Sequence, residues 1–255
     1  MGDIEDIISK VREKPELKGI AKEVVKRAII ESSKGIDISN LGKNDEKIIV
    51  KLARELLRNK TGQYRTGKPV ETDSMRHYSI RQREKFYPLL NSILDSLKVK
   101  SILDLGCGIN PVFISKPGMK YYAYEIREDD LEIVMKHFKE NSIDGTTKIY
   151  DLMSDSYDFP ETDICMLMNV LDGIDKKGHR NAHNILSRVK SRIIFVSFPI
   201  VKLSGKKMNR PRREWFIKIL DSLHLKYYTL NTETESWYFI SREEPLLQLI
   251  SKMQL

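Results

Sequence analysis

Ser101-Ile102-Leu103-Asp104-Leu105-Gly106-Cys107-Gly108-Ile109-Asn110-Pro111 decides the fold. A short apolar run enters a Gly-x-Gly turn, which predicts a strand over 101–105 and a loop where the main chain can lie close to a ligand. No Gly-Lys-Ser/Thr follows, so the loop is not a Walker A, and the third glycine of the dinucleotide fingerprint is missing. Downstream, the hydrophobic pattern predicts strands over 120–126, 147–152, 163–168 and 192–198. Helices are predicted over 129–141, 177–189 and 213–223, and strands 226–230 and 236–240 form a hairpin-like pair joined by 231–235. Alternating strands and helices imply an α/β fold, a largely parallel sheet with helices on both faces and a closing antiparallel pair.

Upstream of the loop the pattern is helical. Ile20, Val24, Val25, Ala28 and Ile29 make one stripe. Ile48, Ile49, Leu52, Ala53, Leu56 and Leu57 make a second, after Asn44 as N-cap. The polar faces carry many cations, among them Lys47, Lys51, Arg54, Arg58 and Lys60, and read equally as solvated surface or as an anion-binding face. Asn59–Thr72 reads as a linker or loop, and Arg76, His77, Arg81, Arg83 and Lys85 lead into a helix ending at Leu97. The expected division is a helical domain over 1–72 and an α/β domain over 73–255.

The chain has 255 residues, with 44 Lys and Arg against 36 Asp and Glu, a formal charge of +8 that favours an anionic partner such as nucleic acid. Two cysteines, Cys107 and Cys165, make neither a disulfide framework nor a zinc site, so no metal is expected. No apolar run is long enough for a bilayer, and the first ten residues lack a signal h-region. These bounds predict a soluble, cytoplasmic protein with no membrane partner.

Glu125 ends the second strand, about twenty residues past the loop, where a carboxylate can accept hydrogen bonds from both hydroxyls of a ribose. Asp151 and Leu152 end the next strand, where an adenine edge would lie. Three strand ends facing one crevice, without nicotinamide or phosphate fingerprints, favour S-adenosylmethionine. Pyrimidine C5 methylation needs a thiolate, but Cys107 sits in the turn and Cys165 inside a strand. Exocyclic adenine methylation calls for an Asn/Asp-Pro-Pro-aromatic loop, and the corresponding place reads Asn169-Val170-Leu171-Asp172. A ring nitrogen such as guanine N7 has a free lone pair and needs no base, only a flipped and aligned nucleotide. Beyond the fifth strand, Lys202, Lys206, Lys207, Arg210, Arg212 and Arg213 cluster without an acid, a pattern suited to phosphate backbones.

Ser197-Phe198-Pro199 with Leu203-Ser204-Gly205-Lys206 and Trp215-Phe216 resembles the aminoglycoside-resistance 16S ribosomal RNA guanine-N7 methyltransferases. Gly106-Cys107-Gly108 before Asn110-Pro111, the His77-x-Ser79-x-Arg81-x-Arg83 pattern and Tyr124-Glu125-Ile126 extend the likeness through most of 75–240. The resemblance implies a Rossmann-like S-adenosylmethionine-dependent methyltransferase sheet with an N-terminal helical RNA-binding domain. It implies that Arg83 holds the methionine carboxylate, that Asp104, Gly106 and Gly108 form the cofactor loop, that Glu125 holds the ribose and that Asp151 and Leu152 border the adenine. Phe198 and Pro199 would form the target-base wall, with Asn169 beside it. Arg81 and the basic loop from Lys202 to Arg213 would lie over the RNA.

The chain departs from that family at Asn169, where a lysine is usual, and at Val201, where a basic residue is usual and Lys202 is displaced by one. These departures suit a divergent host homologue that modifies a different guanine, so the expected partner is structured RNA, either small-subunit ribosomal RNA, as naked RNA or in the small ribosomal subunit, or transfer RNA. Two other readings stay open: a non-catalytic RNA-binding or assembly protein on a methyltransferase scaffold, and a small-molecule methyltransferase.

Overall fold

The computed structural model describes residues 4–38, 41–61, 83–153, 157–174, 178–202, 206–208, 211–243, 248, 250 and 252. Its centre is a seven-stranded sheet of strands β1 (Ser101–Leu105), β2 (Lys120–Glu125), β3 (Asp144–Ile149), β4 (Ile164–Met168), β5 (Ile193–Pro199), β6 (Lys226–Asn231) and β7 (Glu235–Ser241). The order is β3-β2-β1-β4-β5-β7-β6. Pairs among β1 to β5 are parallel, and β7 lies antiparallel between β5 and β6. The chain moves outward from β1 to β3 and then returns to place β4 on β1's other side. A crevice therefore opens between the carboxyl ends of β1 and β4, the usual ligand position in such sheets.

Strand parity explains why both faces are covered. Ile102, Ile164, Met166, Ile193 and Phe195 point into one layer, which packs with helices α4 (Tyr87–Ser96), α5 (Pro111–Ile114) and α6 (Glu128–Glu140). Their neighbours Leu103, Cys165, Leu167, Ile194, Val196 and Phe198 point the other way, into α7 (Leu171–Ile174), α8 (Arg180–Arg188) and α9 (Glu214–Ser222). All of β4 and β5 is buried, as expected of central parallel strands covered on both faces.

β3 begins at Asp144, three residues before the start expected from the sequence. It is the sheet's edge, its residues alternate between exposed and half-buried, and its Asp-Gly start looks like a turn until Lys120 and Tyr121 pair with it.

The N-terminal residues form α1 (Ile4–Arg12), a 3-10 turn (Pro15–Leu17), α2 (Lys22–Ser33) and α3 (Lys43–Thr61). α3 starts one residue before Asn44, which therefore lies inside the helix and is not its cap. The bundle buries Ile7, Leu17, Val24, Ile29, Ile49 and Leu57 together with Ile126 from the end of β2. Ala21 N–H donates to Ile126 O at 2.9 Å and Glu128 N–H to Gly19 O at 2.8 Å, while a Cβ at Gly19 would run into the Asp129 carboxylate. No helix among the described residues is long and apolar enough to cross a membrane.

Candidate active site

The Gly-x-Gly turn leaves β1 with Gly106 N–H and Cys107 N–H both donating to Tyr124 O, at 2.8 and 3.1 Å. Gly106 has φ +70°, and an added Cβ would stand 2.6 Å from Val170 Cγ2, so this glycine lets β1 and the segment after β4 come together. Gly108 has φ +52°, and an added Cβ there would meet nothing within 4 Å; it borders open space. Its N–H donates to Glu125 Oε2 at 3.0 Å, and Ile126 N–H donates to Glu125 Oε1 at 2.8 Å. Burial raises the Glu125 pKa, against the pull of these two donors.

Below the turn lies a buried polar network. Arg83 Nε donates to both Glu235 oxygens, at 2.9 and 3.0 Å, and Nη1 donates to Asn110 Oδ1 at 3.1 Å. Tyr87 donates to the same Asn110 oxygen at 2.8 Å. Asn169, at φ +58° just past β4, donates from Nδ2 to Glu235 Oε1 at 2.6 Å and accepts from Ser197 Oγ at 3.3 Å. Glu235 has no exposed surface and, through Arg83 to Asn110 and directly to Asn169, ties the Gly-x-Gly turn to the segment after β4. Asp104 is also fully buried and accepts from Tyr121 Oη at 2.9 Å on Oδ2; burial pushes its pKa up to about 7.

Two atoms of this network are left over. Arg83 Nη2 and Asp104 Oδ1 are buried without a hydrogen-bond partner. An unmet cation donor and an unmet carboxylate oxygen near the carboxyl end of β1 fit a zwitterion, an α-carboxylate for Arg83 and an α-ammonium for Asp104. The donor set therefore suits an amino-acid moiety with the ribose nearer Glu125. β3 ends at Ile149, so Asp151 and Leu152 lie just beyond the strand and do not end it as expected; Asp151 accepts from Met153 N–H at 3.0 Å and from Lys60 Nζ at 2.7 Å, and Leu152 is buried beside it.

The chain is similar in structure to the 16S rRNA methyltransferase RmtF, solved in complex with S-adenosyl-L-homocysteine, at TM-score 0.73 and 18% identity over 95% of this chain and 100% of that one. The 16S rRNA methylase RmtB matches at TM-score 0.69 and 17% identity, covering 94% of this chain and 99% of its own. An rRNA methylase from Escherichia coli matches at 0.65 and 15%, covering 94% and 100%. At these identities the likeness is one of fold, a Rossmann-like methyltransferase sheet. No curated protein matches by sequence. The sequence of residues 9–219 matches the family described as ribosomal RNA methyltransferase (FmrO). The chain belongs to the FmrO ribosomal RNA methyltransferase family.

In this FmrO-family protein, not every residue singled out from the sequence faces the crevice. Phe198 is fully buried, packed edge-on against Trp215, Phe216 and Tyr238, with the Arg213 guanidinium 5.3 Å from its ring centroid. It shares parity with Ile194 and Val196, so its ring enters the helix-covered core and gives no wall to a base. Pro199 is buried too, its carbonyl accepting from Arg213 Nη2 at 3.1 Å. Arg213 is not an RNA contact here: it is 8% exposed and held by Asp172 Oδ2 at 2.7 Å, because a guanidinium in the core requires a carboxylate.

Lys202, Lys206 and Lys207 are exposed, with Lys202 N–H donating to Lys206 O at 2.8 Å and Val201 bridged antiparallel to Lys207, and exposed Arg212 pairs with Glu214 at 3.1 Å. Arg81 and Arg210 lie outside the described residues, as do Ser204 and Gly205. Glu235 and Lys60 were missed by the sequence reading. Each reads there as one more surface charge, and only the pairing of β7 with β5 and the docking of α3 reveal otherwise.

Proposed function

We propose that this ribosomal RNA methyltransferase uses S-adenosylmethionine to methylate N7 of a guanine in structured RNA, with 16S ribosomal RNA the favoured substrate. The observation that carries the cofactor reading is the pair of unpartnered buried atoms, Arg83 Nη2 and Asp104 Oδ1, together with the open space at Gly108 in the turn after β1. Arg83 holds the carboxylate, Asp104 the ammonium, Glu125 the ribose and Asp151 the adenine. The cofactor supplies an electrophilic methyl group on a sulfonium. Guanine N7 carries a free lone pair at neutral pH, so the protein's part is to orient the base and exclude water, with no proton to remove. That suits a crevice whose charged groups, Arg83, Asp104 and Glu125, all serve the cofactor. Half-buried Trp215, edge-on to Phe198 and stacked on His179 with ring centroids 4.1 Å apart, is the ring we propose for the target base in its place.

The RNA would lie on the helical bundle and on the exposed lysines Lys202, Lys206 and Lys207. Between α1 and α3 is a cleft of about 460 Å³ lined by Lys10, Lys14, Lys47, Lys51, Arg54 and Arg58. Glu46 pairs with Lys10, Glu13 with Arg54 and Glu16 with Arg58, whereas Lys14, Lys47 and Lys51 line the cleft without a salt bridge among the described residues. Replacing these three by Gln is expected to weaken RNA binding and to flatten the log-log salt dependence by about 2–3 units, without changing cofactor affinity. Filter binding across a salt series checks this; an unchanged slope removes the cleft from the RNA surface.

Asp104 gives a pH signature. With its pKa near 7, this side chain is protonated in acid, and an ammonium binds its charged form. Above pH 7 cofactor affinity is expected to be flat. Below it, affinity falls by up to about tenfold per unit, with release of about one proton per cofactor bound. In the cofactor-free protein the sign for stability is opposite. The raised pKa means that ionising Asp104 opposes folding, so its contribution is lost as pH rises from the ordinary carboxylate range through 7. Calorimetry in buffers of different ionisation enthalpy measures the proton, and Asp104→Asn should abolish it.

Methyl-labelled cofactor offered with small ribosomal subunits, free ribosomal RNA and transfer RNA, followed by nucleoside analysis, tests the whole reading. Labelled 7-methylguanosine from 16S RNA is expected. Another labelled nucleoside would overturn the N7 assignment, and label confined to transfer RNA would overturn the substrate.

A further inference from the structure

The cofactor reading places the adenine at Asp151, and the partner of Asp151 comes from an unexpected direction. Lys60 sits in the last turn of α3, the same helix that carries Lys47, Lys51, Arg54 and Arg58 along the basic cleft. Its Nζ lies 2.7 Å from Asp151 Oδ2, and the two side chains are only 6% and 5% exposed. The other oxygen, Oδ1, accepts from Met153 N–H at 3.0 Å. Asp151 is thus held on one side by its own turn and on the other by a residue 91 positions away in the helical bundle. The same end of α3 abuts α7: Asn59 O and Lys60 O each lie 3.6 Å from where a Gly173 Cβ would stand. α7 begins next to Val170, the side chain against Gly106 in the cofactor turn. The C-terminal end of α3 therefore closes one side of the crevice.

A carboxylate that must accept from an exocyclic amino group has to present a lone pair in a fixed direction. A buried carboxylate without a cation would instead protonate or turn towards water. We propose that Lys60 is a positioning residue for the cofactor: by holding Asp151 Oδ2 it fixes the carboxylate for the adenine amino group and makes the RNA-facing helical bundle a part of the cofactor site. The inference rests on the reading that S-adenosylmethionine binds in this crevice with its adenine at Asp151.

The test compares two ligands on the full chain by titration calorimetry. S-adenosylhomocysteine offers an amino donor at C6, and S-inosylhomocysteine offers a carbonyl there, which repels a fixed carboxylate. The wild-type chain is expected to prefer the adenine ligand by at least about tenfold. Lys60→Met should shrink that ratio to within about threefold, Lys60→Arg should keep most of it, and Lys60→Met added to Asp151→Asn should change the ratio no further. Loss of folded protein cannot mimic this result, because both ligands draw on the same folded population and the ratio is unaffected. A Lys60→Met chain that keeps the full adenine preference overturns the proposal, as does a wild-type chain that binds both ligands equally. A wild-type chain that binds neither ligand overturns the cofactor reading itself, a separate and recognisable outcome.

Discussion

Arg83→Met is expected to abolish binding of S-adenosylhomocysteine and to lower stability by about 3–5 kcal/mol, because it removes the side chain proposed to hold the cofactor carboxylate and strands Glu235 as a buried, uncompensated charge. The two effects separate in the double variant. Arg83→Met with Glu235→Gln removes both charges and should recover most of the stability, while cofactor binding stays lost. Arg83→Lys should not rescue binding, since an ammonium cannot reach Glu235, Asn110 and a carboxylate in the fork geometry that Nε, Nη1 and Nη2 provide. Thermal melts and calorimetry on the three variants check this. Retained cofactor affinity in the double variant would remove Arg83 from the cofactor site.

Phe198→Ala is expected to destabilise the protein by about 3–5 kcal/mol, the usual loss for emptying a phenyl-sized site in a packed core. Phe198→Leu, which keeps most of the volume, should remain folded and keep its methyl-transfer rate within a few-fold. A ring that touched the target base would behave otherwise, with Leu failing in turnover while folding normally. Trp215→Ala is the contrasting variant: its half-buried ring covers less of the core, and its loss should lower transfer more than stability. Denaturant unfolding beside single-turnover labelling separates these outcomes.

The difference between Phe198 and the glycine loop shows what a sequence can carry. β1, β4 and β5 were legible because central parallel strands are short, continuously apolar and bounded by turn residues. Gly106 and Gly108 were legible as a tight turn, because a strand running into Gly-x-Gly announces positions with positive φ. Phe198 was misplaced although its parity with Ile194 and Val196 was there to be counted; the Ser-Phe-Pro pattern spoke for the strand end and not for the direction of the ring. Arg213, Glu235 and Lys60 are charged residues in stretches that read as surface. Their burial depends on partners 41, 152 and 91 positions away, and nothing local announces such a partner.

The joint between the helices and the sheet bears on how such enzymes could be retargeted. Residue 72 looks like a boundary in the sequence, yet the bundle closes its interior over Ile126, bridges Ile20 to Arg127 and presses Gly19 onto Asp129. A chimera that exchanged only the first seventy residues with a relative would bring a bundle moulded to another chain's β2–α6 corner. Successful grafts should be those that carry 126–129 with the helices, so the unit of exchange is a surface and its mould, not a length of chain.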